Sequence, residues 1–297
     1  MAQHPVRQAI KRALPNPITR MLAGTESYVR RMAAWRRVAR DFKGRTSADQ
    51  IVLRRSFAAA PRDMLRNLER WREPELVADA EVVVRGLGTF AVRGRTDDLG
   101  HVMPSMHAAI FREIRKHVRA GDSVIDAGAN MGAVTVFLAT CVGRSGRVVA
   151  VEMMPDTAKC LRRNLELNHL SHVHVVENAL SSTAGEIVVA HVEPGVHGQA
   201  SIALGAQSGR GKKQVEVRTT TLDQVAAALG DIAMIKLDLE GAEPQALRGA
   251  AQMLQRTRAM LFESWEGDGD ETSRILREAG FAIEPVDGRN FLALRRA

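Results

Sequence analysis

From Ser123 onward the chain gathers its apolar residues into short solid runs, and between the runs apolar positions recur every three or four residues. A solid run of roughly four to eight residues reads as a strand buried on both faces, and the spaced pattern as a helix with one face inward. Strands are therefore expected near 123–126, 147–152, 173–177, 232–238 and 259–263, with helices near 131–141, 156–168, 243–255 and 271–279. This alternation predicts an α/β domain built on an open, mostly parallel sheet with helices on both faces. The chain ends on two runs, 281–286 and 290–294, joined by Asp287-Gly288-Arg289. That is a hairpin signal, so the last two strands are expected to be antiparallel.

Other patterns lie around and within this core. Val82 to Val84 and Thr89 to Val92 flank Gly86 and Gly88 as a hairpin would, and a helix is expected from about 105 to 119. A second hairpin is predicted from 186–192 and 215–219. The polar stretch between them, 195–213, is either a floppy loop or a substrate lid. Near the start, Tyr28, Met32, Trp35, Ala39 and Phe42 fall at helical spacing, with Arg30, Arg31, Arg36, Arg37 and Arg40 on the other faces. The apolar stripe of this basic helix would pack on the rest of the protein or on a second subunit; a membrane surface and RNA are the other partners such a helix suits. A further short helix is expected over 61–71. The resulting plan is a basic helical extension over 1–75, a hairpin and helix over 76–121, and a core over 122–297 with an insertion at 185–219.

Composition narrows the class. With 297 residues and 45% hydrophobic content the chain can bury an ample core. The net charge of +8 is uneven: residues 1–75 hold 17 Lys/Arg against 7 Asp/Glu, while the remainder is slightly acidic. A nucleic-acid surface spread over the whole fold is therefore not expected, and any contact with a polyanion or anionic lipid belongs before residue 76. No apolar run reaches the ~20 residues of a membrane span, and the basic start lacks the apolar segment of a secretory signal. A cytoplasmic protein, peripheral to a membrane at most, is expected. Cys141 and Cys160 make no disulfide framework, and the histidines and cysteines lack metal-ligand spacing, so no metal is expected.

Chemistry concentrates in two segments. Asp126-Ala127-Gly128-Ala129-Asn130-Met131-Gly132 joins the first predicted strand to its helix. Glycines there allow close backbone approach or positive φ, and the following helix offers unpaired N–H groups. Asn130 stands where the dinucleotide pattern G-x-G-x-x-G needs its second glycine. The observed D-x-G-x-N-x-G, followed by a second strand ending on Glu152, favours S-adenosylmethionine over a nicotinamide dinucleotide. The other segment is Ile235-Lys236-Leu237-Asp238-Leu239-Glu240-Gly241-Ala242-Glu243-Pro244. Strand alternation would turn Lys236, Asp238 and Glu240 to one face, where burial is costly unless they pair or bind something. A structural ion pair from Lys236 remains an alternative, and Glu243 before Pro244 could simply cap a helix.

The motifs Val124-Ile125-Asp126-Ala127-Gly128-Ala129-Asn130-Met131-Gly132, Val151-Glu152, Glu177-Asn178-Ala179-Leu180-Ser181, Thr220-Thr221-Leu222-Asp223 and, above all, Ile235 to Glu243 resemble the FkbM family of S-adenosylmethionine-dependent methyltransferases. The resemblance is good over about 122–266 and looser from 81 to the end; residues 1–75 carry no motif of the family. It implies a Rossmann-like class I methyltransferase fold with a seven-stranded sheet. It also implies methyl transfer from S-adenosylmethionine, usually to a hydroxyl of a sugar, glycolipid or polyketide. By matching position, Asp126, Gly128, Asn130 and Gly132 would contact the methionine and ribose portions, Glu152 the ribose hydroxyls, and Asn178 with Ala179 the adenine side. Asp238 would stand near the transferable methyl. Met153 departs from the family, where many members place proline after the acid, and a looser turn at Glu152 would follow.

Removing a proton from an alcohol calls for a carboxylate within hydrogen-bond reach. Asp238 and Glu240 are the first candidates, with Lys236 holding a partner and Glu263 next in line. RNA methylation through the basic N-terminal region and a non-catalytic S-adenosylmethionine-binding scaffold are the rival functions.

Overall fold

The computed structural model describes residues 16–66, 74–193, 195–202, 213–264 and 267–296. The chain divides between Met103 and Pro104 into two compact units. The first contains helix α1 (Asn16–Asp41), strand β1 (Phe42–Gly44), helix α2 (Ser47–Arg66), strands β2 (Ala80–Val84) and β3 (Gly88–Val92), and the short helix α3 (Asp98–His101). Strands β1, β2 and β3 form an antiparallel sheet in that order. Because Phe42 pairs with Val84 in that sheet, the helices before residue 75 and the hairpin after it share one unit, contrary to the expected boundary.

The basic helix exists, with its stripe rotated from the expected one. Ala34, Trp35 and Val38 are buried and Phe42 opens β1, whereas Ala39 is exposed and Tyr28 and Met32 are half-buried. Trp35 meets Phe57 of α2 edge-to-face at 6.0 Å, so the stripe packs within its own unit. The predicted helix over 61–71 is replaced by α2, which starts at Ser47 and runs through Pro61; residues 67–71 lie outside the described residues. Its start is fixed by a capping box, in which Asp49 accepts from the Thr46 N–H at 2.9 Å and Thr46 Oγ1 accepts from the Asp49 N–H at 3.2 Å.

The second unit follows the expected alternation. It contains α4 (Ala108–His117), β4 (Ser123–Ala127), α5 (Ala133–Val142), β5 (Arg147–Val151), α6 (Pro155–Leu167) and β6 (Val173–Val176). An insertion follows with β7 (Ala179–Leu180), β8 (Ile187–Glu193), β9 (Val196–Ser201) and β10 (Lys213–Thr220). The chain then forms α7 (Leu222–Val225), β11 (Ile232–Leu237), α8 (Glu243–Arg248), α9 (Ala251–Gln255), β12 (Thr257–Glu263), α10 (Glu271–Glu278), β13 (Phe281–Asp287) and β14 (Asn290–Arg295). The main sheet has seven strands in the order β13-β14-β12-β11-β4-β5-β6, parallel except at β14.

All six residues of β11 are buried, as is all of β4 after Ser123, which explains their unbroken apolar runs. One face of the sheet packs Ile125, Val149, Ile235 and Phe262 against Leu247 and Leu276. On α4, Phe111 stacks on Phe137 of α5 at 4.0 Å, and the Arg115 guanidinium lies over the same ring at 5.0 Å.

Two expectations change. The predicted helix 243–255 is broken at Gly249, where a Cβ would come 2.5 Å from the Ser181 carbonyl oxygen. The stretch after 195 is a strand over Val196–Ser201, completing a second sheet β7-β10-β8-β9; residues 203–212 lie outside the described residues. Among the described residues, no helix is long and apolar enough to cross a membrane.

Candidate functional site

The site forms where the carboxyl ends of β4, β5, β11 and β12 meet. Lys236 and Asp126 are direct partners across the β11–β4 pair. The Lys236 ammonium donates to the Gly128 carbonyl at 2.9 Å and lies 3.1 Å from Asp238 Oδ2 and 3.8 Å from Asp126 Oδ1. Burial works against this ammonium, but Asp238, Asp126 and Glu152 outweigh it and its pKa is raised. The pairing alternative for Lys236 is therefore what the structure contains, with two acids rather than one.

Asp126, expected to contact the cofactor, is instead fully enclosed. Its Oδ2 accepts from Thr135 Oγ1 at 2.6 Å, while Oδ1 faces Lys236 without a hydrogen bond. Burial pushes its pKa up by more than Lys236 and Thr135 pull it down. Its place is behind the lysine, where it supports the charge that holds Asp238.

The protein's own packing also requires the glycines of the β4–α5 turn. Gly128 has φ +82, and a Cβ there would stand 1.9 Å from the Asp238 carbonyl oxygen. Gly132 has φ +96, and its Cβ would meet Leu161 of α6 at 2.5 Å. Both admit neighbouring parts of the protein. Gly128 and Ala129 donate to the Val151 carbonyl, which ties the turn to β5. Asn164, fully buried, donates to the Met131 carbonyl at 2.8 Å. The sequence signal for Asn164 was a polar residue on the inward face of an amphipathic helix; Thr135 gave none.

Glu152 sits just past β5, 8% exposed, and accepts from the backbone N–H of Asn130 at 2.9 Å and of Met154 at 2.8 Å. Burial raises its pKa, opposed by those two N–H groups. The turn after it is closed by Glu152 itself, while Met153 packs on the apolar cluster of the insertion sheet. The looser turn expected from the missing proline is therefore not observed. Asn130 occupies the left-handed region at φ +49, and its Oδ1 is buried with no donor. Asn178 donates to the Arg218 carbonyl at 3.0 Å, and Ala179 is buried in β7 beside Met154 and Val217. The insertion sheet thus engages both residues expected on the adenine side.

Beyond Leu237 the chain leaves β11, so alternation does not set the direction of Glu240 as expected. The Asp238 N–H still donates to the Ala127 carbonyl, but Glu240 turns over at φ +53. Glu243 accepts from the backbone N–H of Leu239 at 2.6 Å and of Gly241 at 2.9 Å. Carboxylate oxygens of Asp238, Glu240 and Glu263 all lie within 4.8 Å of one another, the one such group of three among the described residues. An acidic cluster of this kind needs no ion to account for it. Its consequence is electrostatic: burial first, then Asp238, Glu263 and Glu243, push the pKa of Glu240 to about 7. Glu263 is raised by burial and Asp238, with Arg289 3.8 Å away opposing. Neither cysteine forms a disulfide, and His101 lies 3.1 Å from Asp97 in the first unit.

An open parallel sheet with its acids gathered at the carboxyl ends of the central strands is a Rossmann-like class I methyltransferase fold. The model of the methyltransferase FkbM domain matches residues 126–283, just over half of the chain, and the chain belongs to that family. Its methyl donor is S-adenosylmethionine. The turn fits such a donor, because the buried Asn130 oxygen is an acceptor awaiting a hydrogen-bond donor and lies on the residue whose N–H engages Glu152.

Curated relatives include the protein-L-isoaspartate O-methyltransferase of Caenorhabditis elegans, 38% identical over 66 residues, which is 22% of this chain and 29% of the relative. Another is the tRNA (adenine(57)-N(1)/adenine(58)-N(1))-methyltransferase of Methanocaldococcus jannaschii, 39% identical over 51 residues, or 17% of this chain and 18% of the relative. The chain spans less than a third of the length of these relatives. Among solved structures, an S-adenosylmethionine-dependent O-methyltransferase of Thermotoga maritima shares 16% identity over 79% of this chain and 82% of its own, with a TM-score of 0.41. The FkbM methyltransferase of Methylobacillus flagellatus shares 14% over 65% of this chain and 54% of its own, with a TM-score of 0.38. No residue role passes to this chain from likeness at that level.

Proposed function

We propose that this methyltransferase acts on a hydroxyl of a sugar, glycolipid or polyketide-type small molecule, and that Glu240 takes the hydroxyl proton. The observation that carries the reading is the carboxylate group of Asp238, Glu240 and Glu263, in which Glu240 titrates at about 7. The names of the relatives include both oxygen and nitrogen acceptors, so the oxygen acceptor rests on this carboxylate set rather than on them.

When bound, S-adenosylmethionine supplies a methyl group made electrophilic by a sulfonium centre. Glu152 and Asn130 would hold it, Glu152 through carboxylate lone pairs left over from its two backbone contacts and Asn130 through its amide oxygen. An alcohol that gains a methyl group must lose its proton, and a base titrating near neutrality is best matched to that task, worth ~10²- to 10⁴-fold. Glu240 is such a base. Asp238, 3.1 Å from the Lys236 ammonium, is the charge that most raises the pKa of Glu240 and so fits it to the task. Glu263 closes the other side of the group and keeps the pKa of Glu240 high.

The test has two stages. Isothermal titration with S-adenosylmethionine is expected to give micromolar binding in the wild type and none in Glu152→Ala. Radiolabelled methyl transfer is then followed on a panel of sugars, glycolipids and tRNA. Transfer to hydroxylated small molecules that falls at least tenfold in Glu240→Gln, with donor binding retained, supports the reading. Undiminished turnover in Glu240→Gln removes it as base, transfer to tRNA alone rejects the acceptor class, and donor binding without transfer to any acceptor favours a scaffold.

A further inference from the structure

Glu240 is held in a backbone conformation that side-chain-bearing residues adopt only at a cost, φ +53, and it sits between two residues whose amides point the same way. Those amides, of Leu239 and Gly241, both donate to Glu243, one to each carboxylate oxygen, at 2.6 and 2.9 Å. Gly241 itself has φ +98. The N–H groups of Leu239 and Gly241 thus converge across this turn, and an anion held between them fixes it. Glu243 is largely buried and starts α8, so the anion is supplied from a rigid element.

We propose that Glu243 is a positioning residue that clamps the 239–241 turn and so sets the direction of the Glu240 carboxylate, bringing it alongside Asp238 and Glu263. This goes beyond a helix cap, because the bonds run to the loop on either side of Glu240. It rests on the reading of Glu240 as the base only for its relevance to turnover; the clamp itself is a statement about the position of Glu240. Released from the clamp, the Glu240 side chain moves toward water and away from its acidic neighbours.

The groups facing Glu240 are Asp238 and Lys236 from β11 and its extension, Glu263 from the end of β12, and Glu243 from α8; Arg289, from the β13–β14 turn, acts through Glu263. Among the charges, Glu263 acts on Glu240 more strongly than Glu243 does. Charge and position can therefore be separated. The full chain, labelled with ¹³C at the glutamate carboxyl, is titrated by NMR, with the Glu240 signal assigned by its loss in Glu240→Gln. Glu243→Asp keeps the charge but is one methylene too short to reach both amides; Glu243→Gln keeps the size but offers one acceptor oxygen for two N–H groups. Glu263→Gln removes a charge and leaves the clamp intact.

The clamp predicts that the Glu240 midpoint falls from about 7 in the wild type by about one pH unit or more in both Glu243 variants, and by less in Glu263→Gln. A midpoint unchanged in Glu243→Asp, with Glu243→Gln shifting no more than Glu263→Gln, means that Glu243 acts by charge alone and overturns the proposal. Binding of S-adenosylmethionine by each variant shows that it is folded, and either Glu243 variant decides the matter if the other does not fold. Because the readout is a titration, loss of the base reading through Glu240→Gln turnover would leave this result standing, and the two failures are distinct.

Discussion

Replacing Glu240 by glutamine should make the protein more stable, by an amount that grows as pH rises from about 4.5 to about 7 and then levels off. The carboxyl titrates at about 7 in the folded chain against an ordinary 4.5. An acid whose pKa is raised by folding binds its proton more tightly in the native state. Its contribution to stability is therefore fully present below about pH 4.5 and is lost as pH rises through 7. A separation of about 2.5 pH units corresponds to an upper limit of about 3 kcal/mol at 1.36 kcal/mol per unit. Glu240 is only half-buried, so solvent screening reduces this to about 1–2 kcal/mol. Glutamine keeps the shape and never ionises. Urea unfolding at pH 5 should give the two proteins equal stability within about 0.5 kcal/mol, and at pH 8 the variant should lead by about 1–2 kcal/mol with an unchanged slope against denaturant. A variant that gains nothing between pH 5 and pH 8 would refute the reasoning, because the acid cluster would then impose no strain on the ionised form.

Lys236→Ala leaves Asp126 enclosed beside no cation, and denaturant unfolding at pH 7 should show a loss of about 3–5 kcal/mol. A loss under about 1 kcal/mol would mean that Asp126 is already neutral. Gly128→Ala drives a Cβ into the Asp238 carbonyl and should abolish donor binding in a calorimetric titration. Gly143→Ala, at φ +65 in open space, should cost only about 1 kcal/mol of backbone strain and leave binding intact. Trp35→Ala empties the contact between α1 and α2 and should cost about 3–5 kcal/mol, read by loss of helical circular dichroism at a lower temperature.

The main sheet was legible because its central strands are buried on both faces and so carry no alternation that a helix could imitate. β4, β5 and β11 lie within about a residue of their expected ends. β9 was not legible: Val196-His197-Gly198-Gln199-Ala200-Ser201 has neither a solid apolar run nor alternation, and backbone pairing with β8 makes it a strand. The start of α2 has a readable signal in Thr46-Ser47-Ala48-Asp49, while Pro61, a residue that favours the first turn of a helix, stands in its interior. At the site, residue types and strand-end positions could be read, but partners could not. That Asp126 backs a lysine, and that Gly128 makes room for a carbonyl 110 positions later, depends on which strands lie side by side.

The approach at Gly128 joins the turn that fits the donor to the segment that carries the candidate base. The Asp238 carbonyl lies where a Cβ of Gly128 would be, Lys236 reaches back to the Gly128 carbonyl, and the Asp238 N–H closes on Ala127. Residues 126–130 and 236–243 are in this sense one interlocked block. For anyone redesigning the enzyme, the two stretches must be transplanted together, since a foreign version of either would meet the other's backbone out of register. Changes of acceptor are better sought outside the block, in surfaces that can vary without moving the donor.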